Sequence, residues 1–158
     1  MLSQNVLSTL RYFIELSYQG KGYHGWQNQP DAITVQEVLE KALSTLLKEP
    51  ISTMGAGRTD TGVHAKQMFA HFDFESIINV TDLVFKLNSF LPKDIAIHNI
   101  FRVKDEAHAR FDALSRTYLY RISLKKDVFS FNETYYVKQD LDVVKMNSAS
   151  KTLFNYKD

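Results

Sequence analysis

The 158 residues predict one α+β sandwich on a mostly antiparallel sheet. Three observations predict it. Segments with strand-like alternation come in adjacent pairs, and segments with helical periodicity separate those pairs. A hydrophobic content of 44% and an aromatic content of 13% are enough for one core. The predicted order is β-α-β-β-α-β-β-β-α.

Residues 11–18, RYFIELSY, are rich in aromatic and β-branched side chains and partly alternate, which predicts a strand. QGKGYHGWQNQPDAI follows, a long loop with three glycines and a proline, and ordered loops of that length are often functional. Thr34 and Glu37 form a T-x-x-E capping box. Val35, Val38, Leu39, Ala42, Leu43, Leu46 and Leu47 then fall at helical spacing, and Pro50 bars the helix from continuing. ISTMGA, residues 51–56, reads as a short strand. KQMFAHFDF, residues 66–74, alternates with Met68, Ala70, Phe72 and Phe74 on one side and reads as another.

A second helix is expected from about Thr81 to Phe90, with Pro92 beyond its end. IAIHNIFRV (95–103), SRTYLYRISL (115–124) and the shorter ETYYVK (133–138) read as strands. Leu141, Val144, Ala149 and Leu153 suggest a last helix. There is no internal repeat and no low-complexity linker. The chain stops abruptly at TLFNYKD, which suggests part of a longer protein.

No apolar run reaches the length of a membrane-spanning helix, and the N-terminus is a poor signal peptide. With no cysteine there is no disulfide framework and no thiolate metal site. A soluble intracellular protein is the default reading. The net charge of +1 carries no global signal for nucleic acid. Between Arg102 and Lys126, however, seven basic residues face three acidic ones. Such a stretch suits a phosphate backbone, although a solvated strand-and-loop face explains it as simply.

The stretch with most chemistry is MGAGRTDTGVHA, residues 54–65. It is neither G-x-G-x-x-G nor a P-loop. His64 lies four residues from Asp60 across a glycine, so no metal site is expected. A glycosidase pair would need a second carboxylate nearby. What remains is Asp60 working alone, as nucleophile or base, beside Arg58. Two residues apart in extended backbone, they share a face, where the cation favours the ionised carboxylate. On spacing alone, an Arg–Asp pair that only ties down a turn remains the simpler reading.

GAGRTDTGVHA closely resembles the signature of the TruA family of tRNA pseudouridine synthases, roughly AGRTDxGVHA. Other segments resemble the family in the same order: YQGKGYHGWQNQP, TVQEVLEKAL, NSFLPKDIAI and AHARFDALSRTYLYRI. The likeness runs from about Arg11 to Ile122.

The resemblance implies a pseudouridine-synthase-type α+β sandwich, with helices packed on one face of the sheet in a ferredoxin-like arrangement. It implies isomerisation of uridine to pseudouridine at positions 38–40 of the tRNA anticodon arm, with no cofactor and no metal. By the match, Asp60 is the catalytic carboxylate. Tyr118 is the active-site tyrosine on which an extruded uracil would stack. Arg58 would help displace the nucleotide. His108, Arg110 and Arg116 fall at matched positions on the basic stretch and are candidates for phosphate contact. Trp26 and Gln27 lie in a loop that would approach RNA, and Trp26 serves equally well as a core plug. His24, His71 and His98 carry no assigned role.

The resemblance further implies a cytoplasmic enzyme, homodimeric at full length and without a membrane. Residues 1–10 precede the match as an extension expected to be disordered. Residues 11–158 would be the N-terminal catalytic domain of a longer synthase whose second half supplies the other wall of the cleft. This chain alone is then expected to be weakly active or inactive. The competing readings are a non-catalytic RNA-binding α+β domain and, more remotely, a phosphate-ligand module.

Overall fold

A computed structural model describes residues 9–76 and 79–156. They form two compact units, one ending at Ser115 and the other beginning at Arg116. Of the extension expected at residues 1–10, residues 1–8 lie outside the described residues.

The first unit is built on a four-stranded antiparallel sheet. In chain order come β1 (Leu10–Tyr18), α1 (Val35–Leu47), β2 (Met54–Gly55), β3 (Ala65–Phe74), α2 (Val80–Phe90) and β4 (Ile95–Arg102). The strands lie in the order β2-β3-β1-β4. Central β1 pairs antiparallel with both neighbours, setting Phe13 opposite His71 on one side and Phe101 on the other. Its alternation is clean: Tyr12, Ile14, Leu16 and Tyr18 are buried and the residues between them are half-buried. Those four join Val35, Leu39 and Leu43 of α1 and Leu83 and Leu87 of α2 in one core. Full burial of each such side chain contributes about 1.5–3 kcal/mol, which is why the helices close over that face.

Local chemistry sets the helix ends. The Thr34 hydroxyl oxygen accepts the Glu37 N–H at 3.2 Å, as the capping motif predicts. Lys48 closes α1 in the left-handed region at φ 62°, two residues before Pro50. The expected start of the second helix shifts by one residue: Asn79 accepts the Asp82 N–H at 3.2 Å and is the cap, so α2 opens at Val80. Met68, Ala70 and Phe72 are buried on the face foreseen for β3, with Phe74 half-buried at its end. The strand expected over 51–56 shrinks to Met54–Gly55, which pair in register with His71 and Ala70 of β3, and the Ala56 N–H still reaches the Phe69 carbonyl at 2.7 Å.

In the second unit, β5 (Ile122–Ser123) pairs parallel with β6 (Tyr135–Tyr136), and α3 (Val143–Ser150) runs into a 3₁₀ turn at Lys151–Asn155. The strand predicted over 115–124 is therefore corrected to two residues, and that over 133–138 likewise. The last helix exists, but none of its residues is buried, and Val144 and Leu153 are exposed. A strand is held by its neighbours rather than by its own propensity. Among the described residues of this unit, aromatic and β-branched composition found only one short pairing.

Candidate active site

All six glycines of the chain lie in two loops, 20–25 and 55–62, and these loops clasp each other. The Thr59 carbonyl accepts the Trp26 N–H at 3.3 Å, and the Tyr23 carbonyl accepts the Gly62 N–H at 3.2 Å. His64 Nδ1 accepts the Gly20 N–H at 3.0 Å. The Tyr18 and Thr59 hydroxyls share a hydrogen bond of 2.9 Å. The approach leaves no room for side chains. A Cβ on Gly20 would overlap the Val63 carbonyl oxygen, and one on Gly25 would overlap that of Thr59. Gly25 also has φ +84°, which L side chains rarely adopt.

The first loop is itself held on two sides. Carbonyls of Gly25 and Trp26 accept the Val35 and Gln36 N–H groups at 3.2 and 3.0 Å, satisfying donors of the first turn of α1. The Tyr23 hydroxyl donates to Asp94 Oδ1 at 2.7 Å, and the Gln19 N–H to the Asp94 carbonyl at 2.8 Å. Burial, and then the neighbouring Asp94, push the Tyr23 phenol well above its usual range, so it stays a donor.

On this scaffold sits Arg58-Thr59-Asp60. Thr59 is half-buried, whereas Arg58 and Asp60 are exposed on either side of it. No ion pair joins the two among the described residues, so Arg58 does not lock the Asp60 carboxylate here. Arg58 instead lines an open pocket of about 120 Å³ with Trp26, Gln27, Gln36, Met54, Gly55, Gly57 and Arg110. Four of the residues singled out in the sequence (Trp26, Gln27, Arg58 and Arg110) thus meet at one place. Trp26 is 2% exposed and belongs to the core while also forming the pocket wall.

Arg110 is aimed by a compact turn. His71, only 7% exposed, accepts the Ala109 N–H on Nδ1 at 3.1 Å. Burial lowers its pKa to about 4, helped by the charges of Arg11 and His108 and opposed by Asp73, so the acceptor nitrogen stays free of a proton. The His108 ring meets that of His71 edge-on at 4.7 Å, and its Nδ1 accepts the Arg110 and Phe111 N–H groups at 3.1 and 3.3 Å. Arg11 grips Asp73 through two bonds of 2.8 Å and donates to the Ala107 carbonyl at 2.9 Å. His108, a phosphate candidate in the sequence, therefore spends Nδ1 on the turn. Tyr118 and Arg116 lie in the second unit, Tyr118 with 77% of its surface exposed.

Sequence reasoning missed Tyr18, Thr59, Gly20, Gly25 and His71. The confinement of every glycine to two loops signalled the clasp. Nothing local signalled His71, which sits in a strand like any other. Among the described residues, no three His, Asp or Glu side chains gather as a metal site would need.

The family model described as tRNA pseudouridine synthase matches residues 16–112. The chain is 54% identical over 151 residues to tRNA pseudouridine synthase A of Parabacteroides distasonis, covering 94% of this chain and 59% of that one. It is 50% identical over 153 residues to the Bacteroides fragilis protein of the same name, covering 96% and 61%. A more distant relative of that name, from Aliivibrio salmonicida, is 39% identical over 152 residues, covering 94% and 58%. The chain thus spans about three-fifths of the length of these relatives.

Proposed function

The chain belongs to the tRNA pseudouridine synthase family, and from that premise we propose that it carries the reacting carboxylate of a uridine-to-pseudouridine isomerase acting on tRNA, with Asp60 as that group. The observation that carries the reading is the R-T-D segment. Its middle residue is tied to Tyr18, its charged neighbours are exposed, and Arg58 lines a pocket with Arg110, all inside the matched region.

The reaction breaks the C1′–N1 glycosidic bond, turns the uracil, and joins C1′ to C5, with the C5 hydrogen leaving as a proton and a proton taken up at N1. A stacked base is out of reach, so the nucleotide must be extruded. Arg58 and Arg110 suit the phosphates of a splayed strand, with Gln27 beside them. Tyr118 offers an aromatic face for the uracil, and His108 and Arg116 belong to the same basic stretch. Asp60 must be ionised and within about 3 Å of its target atom, whether it attacks or takes a proton.

The anticodon arm, positions 38–40, is the substrate region this reading adopts, with a homodimeric cytoplasmic enzyme as the working form. The order β2-β3-β1-β4 under two helices supports a ferredoxin-like arrangement. Among the described residues no helix is long and apolar enough to cross a membrane. The second wall of the cleft is assigned to the length the relatives have beyond the match, so these 158 residues alone should turn over weakly or not at all.

The test is tritium release from tRNA labelled at uracil C5, using the longest natural chain that carries this segment, with Asp60→Asn beside it. Release that disappears in the variant supports the reading. No release, with tRNA binding that survives the substitution, leaves a non-catalytic RNA-binding domain.

A further inference from the structure

Thr59 is the one residue of Arg58-Thr59-Asp60 that the fold holds at both ends. Its carbonyl accepts the Trp26 N–H at 3.3 Å, and its hydroxyl meets the Tyr18 hydroxyl at 2.9 Å. Tyr18 is 4% exposed and ends central strand β1, the most paired strand of the sheet. Its ring packs against Trp26 with centroids 6.2 Å apart. A rigid core side chain thus reaches to within one residue of the exposed carboxylate. Thr59 is half-buried and Asp60, joined to it directly, is exposed, so holding Thr59 fixes the point from which the Asp60 side chain starts.

We propose that the Tyr18 hydroxyl is a positioning group for Asp60, acting through Thr59. The inference rests on Asp60 being the reacting carboxylate. Tyr18 touches no substrate. Its hydroxyl narrows the range of positions that Asp60 samples relative to C1′ and the uracil, and reacting groups displaced by about 1 Å lose rate steeply. Burial, opposed by the Thr59 bond, raises the Tyr18 phenol above its usual range, so the hydroxyl keeps its proton throughout the working range of pH. A group with this role acts on kcat. A group that merely supports the fold acts on the unfolding midpoint, and one that binds RNA acts on KM.

The experiment compares Tyr18→Phe, Thr59→Val, Thr59→Ser and the Tyr18→Phe/Thr59→Val pair in the longest natural chain carrying this segment, with Asp60→Asn alongside. Tyr18→Phe keeps the ring and removes only the hydroxyl. It should lower kcat about tenfold, with KM for tRNA within about twofold of wild type. Thr59→Val should do the same, Thr59→Ser should retain kcat within about twofold, and the pair should be no worse than the worse single variant. Tyr18→Phe with wild-type kcat, a change confined to KM, or effects that multiply in the pair would overturn the proposal. Should Tyr18→Phe fail to fold, Thr59→Val decides, because full activity there also overturns it. An inactive Asp60→Asn beside a fully active Tyr18→Phe defeats this inference alone. An active Asp60→Asn defeats the reading beneath it, and this inference with it.

Discussion

Replacing Gly25 by alanine should separate the two clasped loops. Two costs are visible in the structure. At φ +84° an L side chain is strained, by about 1–2 kcal/mol. The new Cβ would also sit inside the Thr59 carbonyl oxygen and close to the carbonyl carbons of Thr59 and Asp60, at 3.2 and 3.3 Å. These are backbone atoms and cannot swing aside. The loops must part by about 1 Å to restore ordinary contact. That parting breaks the bond from Trp26 N–H to Thr59 and strains the one from Val35 N–H to Gly25, now 3.3 and 3.2 Å. At about 1 kcal/mol for each, the total loss is about 3–4 kcal/mol. Because Thr59 and Asp60 move together, turnover should fall about a hundredfold. Urea unfolding measures the first quantity, through a lower midpoint at constant slope. Tritium release from tRNA measures the second. Gly22→Ala is the control: a Cβ there meets nothing within 4 Å, so its midpoint should hardly move. A Gly25→Ala protein less than about 1 kcal/mol below wild type, with normal turnover, would refute the close-approach reasoning.

Two further outcomes follow from the core and the caps. His71 holds its proton less tightly in the folded protein, at about 4 against 6.5 unfolded, so stability should be full above about pH 6.5 and drain away as the pH falls towards 4. The loss is at most about 3 kcal/mol, and His71→Gln should flatten the midpoint-against-pH curve in that window; a wild-type curve already flat from pH 7 to 4 contradicts the burial argument. Asp73, whose carboxyl Arg11 holds below its usual range, adds its own loss only at still lower pH. Thr34→Ala removes both the cap on Glu37 N–H and the hydroxyl bond to Asn28 Oδ1 at 2.9 Å, and should cost about 1–2 kcal/mol in thermal or urea unfolding, with Thr34→Ser close to wild type.

The sequence by itself determined the elements of the first unit. Alternation in β1 and β3, the T-x-x-E start of α1 and the prolines after both helices act through neighbours a few residues away. The exposure of Arg58 and Asp60 on either side of half-buried Thr59 matches the alternation expected there, since a period of two is local. Only the tertiary structure decided what holds that segment in place. Thr59 faces Tyr18 across 41 positions, and His71 reaches Ala109 across 38. No local pattern records such contacts, because they exist only once β1, β3 and the two loops are packed together. The strand expected over 115–124 fails on the same principle in reverse. Its residues have the composition of a strand, but a strand is completed by the neighbour it bonds to, and among the described residues only Ile122 and Ser123 pair in register with one.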